Sequence, residues 1–218
     1  LSSTLEASGF GYYVKGPITL GTFEMRLPAD GTSAEASGES RRIGLRMHST
    51  DERYVAQCRI EGFTLSRLFP YEDWDRLVVE SRRLWGVYVE RLQPKRVTRI
   101  ATRYINNLRL PLEQGASFQK YLNKLVDVPD EAPQAVAEFL QRFRLVDATL
   151  GANTNLTLAL NEYRPDAPAP VLLDIDVFAP ADLDPGDPGI WQRLDQLREL
   201  KNRCFFGTIT EQAAELYE

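Results

Sequence analysis

The segment from Tyr71 to Leu92 constrains the fold more than any other part of the sequence. Its apolar residues recur at intervals of three, four and seven, which places them on one stripe of a helix with charged residues behind. Pro94 follows and ends the helix. Because the stripe must be covered by other elements, the segment predicts a long helix packed against a core. Its members are Trp74, Leu77, Val78, Ser81, Trp85, Tyr88, Val89 and Leu92.

The stretch RIATRYINNLRL (99–110) has the alternating pattern of a half-buried strand. Alternate side chains of a strand lie on opposite faces, so a strand over 96–110 separates two sets of residues. The odd-numbered set includes Arg99, Arg103 and Arg109, which are predicted to point outward or into a groove. The even-numbered set is more apolar and is predicted to pack under helices: Thr98, Ile100, Thr102, Tyr104, Asn106, Leu108 and Leu110.

Periodicity and turn residues divide the rest of the chain into further elements. Strands are predicted over 10–27, as a hairpin over 41–65, and as a pair over 154–163 and 169–178. Helices are predicted over 116–128, 133–143, 189–206 and 211–218, the last capped by Thr210. A flexible polar loop is predicted over 28–40.

This order of elements predicts an α+β protein in which an antiparallel sheet has long helices packed on one face. Two helices share the pattern Trp-x-Arg-Leu near their starts, at 74–77 and 191–194, and each follows a strand pair. The match gives the hypothesis of two pseudo-repeated strand-strand-helix units. We interpret 1–218 as a single domain whose halves are 1–93 and 94–218.

The composition is that of a globular protein long enough to bury a core, with 218 residues, 43% hydrophobic and 26% charged. A net charge of -5 argues against a nucleic-acid partner, because such domains are usually basic. No run approaches the roughly 20 apolar residues of a membrane span, and no signal peptide opens the chain. Together with two widely spaced cysteines, Cys58 and Cys204, this predicts no membrane contact, free thiols and a cytoplasmic location.

Charge is segregated along the chain. From Arg91 to Leu110 there are six basic residues and no acid. From Pro165 to Gln192 there are six acids and no base. The two segments are complementary in charge, so we expect them either to contact each other or to bind different partners.

Arg99 and Arg103 admit three interpretations. They are four residues apart in a strand, so about 13 Å separates their Cα atoms, which suits two carboxylates or an extended polyanion better than one phosphate. The first interpretation is cross-strand pairing with Asp174 and Asp176, which share one strand face. The second is an anion-binding groove whose ligand-binding residues are Arg99, Arg103, Tyr104 and Asn107. The third is a docking face for another protein.

No catalytic constellation emerges from the sequence. His48 is the sole histidine and ends a strand, so we interpret it as a surface residue rather than a triad member. The acids of ADLDPGDPG (181–189) lack the spacing of a calcium loop and are interpreted as capping residues. Asp174 and Asp176 are the candidates for a metal, although no third ligand stands at a diagnostic spacing. We therefore predict no cofactor and favour a protein that is not an enzyme.

The motif RIATRYINNLRLP resembles the Arg-x-x-Arg-Tyr-Ile-Asn strand of a sporadically distributed prokaryotic family of unknown function. In that family the strand follows a long helix with an aromatic Tyr-x-x-Trp entry, here Tyr71 and Trp74. The stretch LKNRCFFGTITEQAAEL (200–216) is similar to the family's closing pattern of a Phe and an Ile-Thr with an acid behind it. The resemblance covers 40–218 and implies the strand-helix order above, but no reaction, cofactor or site. The family usually opens with a further strand and helix, which we do not find ahead of Gly9.

Three functional hypotheses follow. The favoured one is a non-enzymatic protein-binding or regulatory module, because the charge is segregated while no catalytic constellation is present. The alternative is a binder of a small anionic or nucleotide-like ligand in a groove lined by the arginine strand. The third is a hydrolase or phosphotransfer enzyme with a metal on Asp174 and Asp176. The helix-rich face also leaves a homodimer contact open.

Overall fold

The structure is a computed structural model, and it describes residues 11–26, 35–112, 117–123, 128–129, 131–161 and 167–217. The chain divides into two compact units, Leu1–Pro94 and Lys95–Glu218. This boundary lies one residue from the division between halves that the order of elements suggested. The single domain over 1–218 stays a prediction.

The first unit is a four-stranded antiparallel sheet with one helix. Its strands lie in the order β1-β2-β3-β4, and they are β1 (Tyr12–Arg26), β2 (Glu35–Ser49), β3 (Tyr54–Arg59) and β4 (Gly62–Arg67). Helix α1 (Trp74–Leu92) follows. The Asp73 side chain caps it by accepting a hydrogen bond from the Arg76 backbone N–H at 2.7 Å. A helix and a strand at the predicted positions are therefore confirmed.

The core of the first unit lies between its sheet and α1. Its buried members are Tyr12, Met47, Ala56, Cys58, Leu84 and Tyr88. The Tyr88 hydroxyl donates a hydrogen bond to the Arg59 carbonyl at 3.0 Å, and its ring stacks on Trp85 with the centroids 5.2 Å apart. Burial raises the pKa of the Cys58 thiol to about 11, so the thiol is protonated at neutral pH. Leu84, which the predicted stripe omits, is the most buried residue of α1.

Two predictions for the first unit are wrong in part. The loop over 28–40 is shorter than expected, because β2 begins at Glu35 and pairs with β1 as far as Arg26. Residues 27–34 lie outside the described part of the chain. Backbone pairing between β1 and β2 forms this end of the ribbon, and the alternation of hydrophobic residues in the sequence does not predict such pairing. The second strand of the hairpin over 41–65 is two strands, since the chain reverses at 60–61 and pairs β3 with β4.

The second unit is also a four-stranded antiparallel sheet, in the order β5-β8-β7-β6. Its strands are β5 (Val97–Leu110), β6 (Phe139–Asp147), β7 (Ala152–Leu160) and β8 (Ala169–Leu183). Its helices are α2 (Gly189–Thr208) and α3 (Glu211–Ala214), with short 3-10 turns at Phe118–Lys120 and Glu215–Tyr217. Thr210 caps α3 by accepting a hydrogen bond from the Ala213 N–H at 3.2 Å. The arginine strand, the later strand pair, a helix at the position predicted over 189–206 and this cap are confirmed.

Strand β8 is the centre of the second unit. Every second residue along it is almost completely buried: Ala169, Val171, Leu173, Ile175, Val177 and Ala179. Helix α2 packs on this face of the sheet through Ile190, Leu197 and Leu200. Ile100 and Leu108 of β5 are buried on the same face, opposite Ala179 and Val171. The apolar face predicted for the arginine strand therefore lies in the core.

The helices predicted over 116–128 and 133–143 are wrong where the structure describes them. In the first, Phe118–Lys120 forms only a short 3-10 turn, and 124–127 lie outside the described residues. In the second, 139–143 belong to β6, which pairs with β7 across the turn at 148–151. Gly151 has φ 58° in this turn, a conformation that favours glycine. Strand pairing thus overrides the local helix propensity of PQAVAEFLQRF.

The α+β class with antiparallel pairing is confirmed, and the strands are divided between two sheets rather than joined in one. Within the described ranges, no helix has the length and apolar character needed to cross a membrane.

Candidate functional site

The arginine strand contributes to the face of the second sheet that lies opposite α2, which we call the outer face. Side chains from all four strands stand next to one another there. In the strand register, Arg103 of β5 lies opposite Asp176 of β8. Asp176 lies opposite Asn155 of β7, and Asn155 lies opposite Arg144 of β6. An acid and an amide at the centre of this row are therefore flanked by an arginine from each edge of the sheet.

Arg103 is held by Asp174 in a bidentate ion pair. Its Nε donates to Oδ1 at 2.8 Å and its Nη2 donates to Oδ2 at 2.6 Å, so both carboxylate oxygens are engaged. The hydrogen bond to Asp174 raises the pKa of Arg103 above its ordinary value. The Asp174 side chain is 17% exposed and that of Arg103 is 57% exposed. The pair joins β5 to β8 on the side of the sheet away from the core.

Arg99 and Arg144 both lie on the ring of Phe178. Their guanidinium carbons are 4.5 Å and 5.0 Å from the ring centroid. The Nη2 of Arg99 is also 3.7 Å from Oδ1 of Asp176, and Asn155 donates to the other oxygen of that carboxylate at 3.2 Å. The predicted cross-strand pairing of the arginine strand with the two acids of β8 is therefore confirmed.

The four residues predicted to line an anion groove do not share one surface. Arg99, Arg103 and Asn107 are on the outer face, but Tyr104 is on the opposite face, where Lys201 Nζ lies 3.8 Å from its ring centroid. A cleft of about 460 Å³ is present in the first unit, and its lining contains none of these residues.

Three contributors to the outer face are absent from the sequence prediction, namely Arg144, Asn155 and Phe178. Asn155 and Phe178 lie on strands that were predicted, and their positions in the register alone bring them beside the arginine strand. The alternating sequence FLQRFRLVD (139–147) could have predicted the position of Arg144. If this segment is interpreted as a strand, alternate side chains lie on one face, and Arg144 is one of them.

Asp174 and Asp176 are the two acids that the sequence offers as candidates for a metal. Among the residues that the structure describes, no three His, Cys, Asp or Glu side chains are grouped closely enough to hold a metal ion. Asp174 is engaged by Arg103, and Asp176 accepts a hydrogen bond from Asn155. Within the described ranges, the hypothesis of a metal-dependent enzyme therefore has no set of three donors on this face to support it.

Strand β6 is an edge of the second sheet. Of the described strands, only β7 pairs with it, so one row of its backbone N–H and C=O groups faces away from the sheet. Edge strands are usually short, charged or interrupted by proline, because an open apolar edge invites another strand. This edge is nine residues long and exposes four large apolar side chains: Leu140, Phe143, Leu145 and Val146.

Two exposed arginines accompany these apolar side chains. Arg142 and Arg144 have no acid within salt-bridge distance in the described part of the chain. The one acid of β6, Asp147, is already paired with Arg203 of α2 at 2.9 Å. The edge therefore presents an apolar surface with a positive centre.

Comparison with known proteins gives no match at the level of a family model, a curated protein or a solved structure. The outer face and the β6 edge therefore have to be interpreted from their own chemistry.

A double-mutant cycle tests whether the Arg103–Asp174 pair stabilises the second unit. We expect Arg103→Ala, Asp174→Ala and the double variant to give a coupling energy of about 0.5–1 kcal/mol in urea unfolding, since the arginine is half-exposed and screened by water. Arg109→Ala, on the same strand face, is the control and is expected to change stability by less than about 0.5 kcal/mol. A coupling energy of zero would show that the pair is not stabilising.

The pH dependence of stability tests the burial of Lys201. Burial, reinforced by the charge of Arg198, lowers the pKa of Lys201 from 10.5 to about 8. Between these two values the unfolded chain binds more protons at Lys201 than the folded chain, so the contribution of Lys201 to stability is expected to rise with pH from about 8 to 10.5 and to be constant below that window. In thermal unfolding, the stability of wild type relative to Lys201→Met should therefore rise across this range, because groups such as the Cys58 thiol titrate in both proteins and cancel in the difference. Lys95→Met, which replaces an exposed lysine of the same unit, should show the same rise relative to Lys201→Met as wild type does.

Proposed function

We propose that the chain is a non-enzymatic protein-binding module whose second unit receives an extended segment of a partner protein along β6. The observation that carries the proposal is the open backbone edge of β6 together with its exposed apolar side chains. Strand addition uses both features, because backbone hydrogen bonds supply affinity and alternate side chains supply specificity.

The pattern of side chains along β6 indicates which segment fits. Leu140, Arg142, Arg144 and Val146 alternate on the outer face. A strand added beside β6 would be stabilised by acids opposite Arg142 and Arg144 and by apolar residues opposite Leu140 and Val146. The expected partner segment therefore has the pattern apolar-x-acid-x-acid-x-apolar.

A second copy of this strand fits the edge poorly. Antiparallel pairing of two copies centred on Phe143 would place Arg142 of each copy opposite Arg144 of the other. Like charges directly opposite each other destabilise a strand pair. A different protein is therefore favoured over a homodimer at this edge.

A binder of a small anionic or nucleotide-like ligand is the second candidate. Arg99 and Arg144 support it, since both guanidinium groups lie on Phe178 and neither is held by two carboxylate oxygens. The bidentate ion pair between Arg103 and Asp174 argues against an anionic ligand, because the Asp174 carboxylate already accepts the hydrogen bonds that Arg103 would donate to the ligand. We therefore favour protein binding over the binding of a small anionic ligand.

We also propose membership of the sporadically distributed prokaryotic family of unknown function. Arg103, Tyr104, Ile105 and Asn106 of β5 match the end of the family motif, although three residues rather than two separate Arg99 from Arg103. A cytoplasmic location in a bacterial cell is supported by the free thiols of Cys58 and Cys204.

Two pseudo-repeated units with long helices on one face of each sheet are a further proposal. It is supported by the Trp-x-Arg-Leu pattern at 74–77 and 191–194, which lies at the start of α1 and of α2. Each of these helices belongs to a unit with a four-stranded antiparallel sheet.

Affinity capture with a charge placed on the edge tests the proposed partner strand. Wild type, Val146→Lys and Ile60→Lys serve as baits in a lysate of the source organism, and peptides from the retained proteins are then titrated against each bait. We expect a segment with the predicted pattern to bind Val146→Lys about tenfold more weakly than wild type, because the lysine removes an apolar contact and adds positive charge beside Arg144.

Ile60→Lys is the matched control for this experiment. Ile60 is a 70% exposed isoleucine at the turn between β3 and β4 of the first unit, it does not line the cleft described there, and Val146 is 72% exposed. The control bait should bind like wild type. Equal binding of the segment to all three baits would contradict the proposal, as would the absence of any such segment among the proteins that wild type retains.

A further inference from the structure

Three arginines converge on one carboxylate in the first unit, at the segment 68–73 between β4 and α1. Arg53 Nη1 donates to Oε1 of Glu72 at 3.0 Å, and Arg67 Nη2 donates to the same oxygen at 2.9 Å. Arg76 Nη1 donates to the other oxygen, Oε2. This bond to Arg76 is the main reason that the pKa of Glu72 lies below its ordinary value. One carboxylate thus occupies a position that three guanidinium groups surround.

Arg67 distinguishes this cluster from an ordinary surface ion pair. Its side chain is only 3% exposed, and its guanidinium carbon lies 4.8 Å from the centroid of the Tyr54 ring. Its Nη1 donates to the Arg53 carbonyl at 3.3 Å, while its Nε is buried without a hydrogen-bond partner. A buried cation with an unused donor is unfavourable unless an anion lies beside it. The fold therefore maintains a position for an anion here.

The cluster lies in the cleft of about 460 Å³, which gives a ligand room to approach. The cleft is lined by three arginines and four acids, with Tyr54 and Val79 as its less polar members. Its charged lining residues are Asp51, Arg53, Arg67, Glu72, Asp75, Arg76 and Glu80.

The segment that carries Glu72 is only lightly held. Residues 68–73 belong to no helix or strand. Phe69 is 95% exposed and Leu68 is also exposed, so these side chains add little packing. The Leu68 N–H donates to the Arg53 carbonyl at 2.8 Å, which ties the start of the segment to the sheet. Glu72 can leave the arginines without unfolding a regular element.

We propose that the cleft binds the carboxylate of a ligand in place of Glu72, with Arg53, Arg67 and Arg76 as the hydrogen-bond donors. Without Glu72 the lining has three arginines and three acids and is neutral, so a ligand with a single negative charge reproduces the net charge that the lining has with Glu72 in place. A phosphate dianion would add a second negative charge beside Asp51 and the other acids, which disfavours it. The ligand class is therefore a carboxylic acid. This site is independent of the partner strand proposed for β6.

Glu72 acts as an internal competitor for such a ligand. The apparent affinity of wild type is reduced by the fraction of molecules in which Glu72 occupies the arginines. Displacement of Glu72 also releases the exposed segment around Phe69, so binding and the mobility of 68–73 are coupled.

Acetate titrations of wild type, Glu72→Ala and Glu72→Gln test the proposal, with thermal stability measured against chloride at equal ionic strength. We expect acetate to bind Glu72→Ala about tenfold more tightly than wild type, because the competitor is gone. Glu72→Gln keeps the size of the side chain and should behave in the same direction if the alanine variant folds poorly. Glu90→Gln, which replaces an exposed glutamate of α1 outside the cleft, should bind acetate like wild type.

Hydrogen exchange in wild type supplies a second measurement. Excess acetate should accelerate exchange of the backbone amides of Leu68, Phe69 and 71–73, whereas a purely structural role of Glu72 leaves them unchanged. A peptide with a free C-terminal carboxylate and its amidated form separate the two sources of a carboxylate. Tighter binding of the free-terminus peptide than of acetate indicates a polypeptide ligand, and equal binding indicates a small acid. The proposal is overturned if acetate acts like chloride on both Glu72 variants, or if inorganic phosphate binds them as tightly as acetate.

Discussion

The fully buried apolar row of β8 is the constraint on which the second unit depends. Leu173, Ile175 and Val177 are completely inaccessible, and burying each such side chain contributes about 1.5–3 kcal/mol to folding. Because the strand alternates, the residues between them must point to the other face of the sheet. Asp174 and Asp176 are these residues. Burial of the apolar row thus determines that two carboxylates lie on the outer face of β8. The neighbouring strand β5 must provide side chains that are compatible with these negative charges.

The arginines of β5 meet this requirement. Arg103 satisfies both oxygens of Asp174, and Arg99 reaches Asp176 while resting on Phe178. The arginines of β5 have the charge and spacing of an anion-binding site, but acids of the neighbouring strand β8 already contact two of them, Arg99 and Arg103. The same principle operates in the first unit, where Glu72 occupies Arg53, Arg67 and Arg76. The difference is that Asp174 belongs to a central strand, whereas Glu72 belongs to a segment outside regular structure.

Elements with a strong local period could be predicted from the sequence. Helix α1 was found because its apolar residues repeat at helical spacing, and β5 because Ile100, Leu108 and Leu110 alternate with arginines. The pairing of Arg103 with the acids of β8 followed from charge segregation and strand faces. Strand β6 was missed because 133–143 has helix-favouring residues, and the decisive pairing with β7 is a tertiary effect. Arg67, Glu72 and Arg76 are close in sequence but belong to β4, to the segment 68–73 and to α1, and Arg53 precedes β3, so no single period of the sequence predicts their cluster.

The functional account depends most on β6 being an open edge. Amide hydrogen exchange along Phe139–Asp147 in the free protein tests this directly. In an antiparallel edge strand every second N–H points away from the neighbouring strand. The account predicts that alternate amides of β6 exchange rapidly while those bonded to β7 are protected. Uniform protection along the strand would mean that the edge is already covered, and it would contradict the proposed binding of a partner segment there.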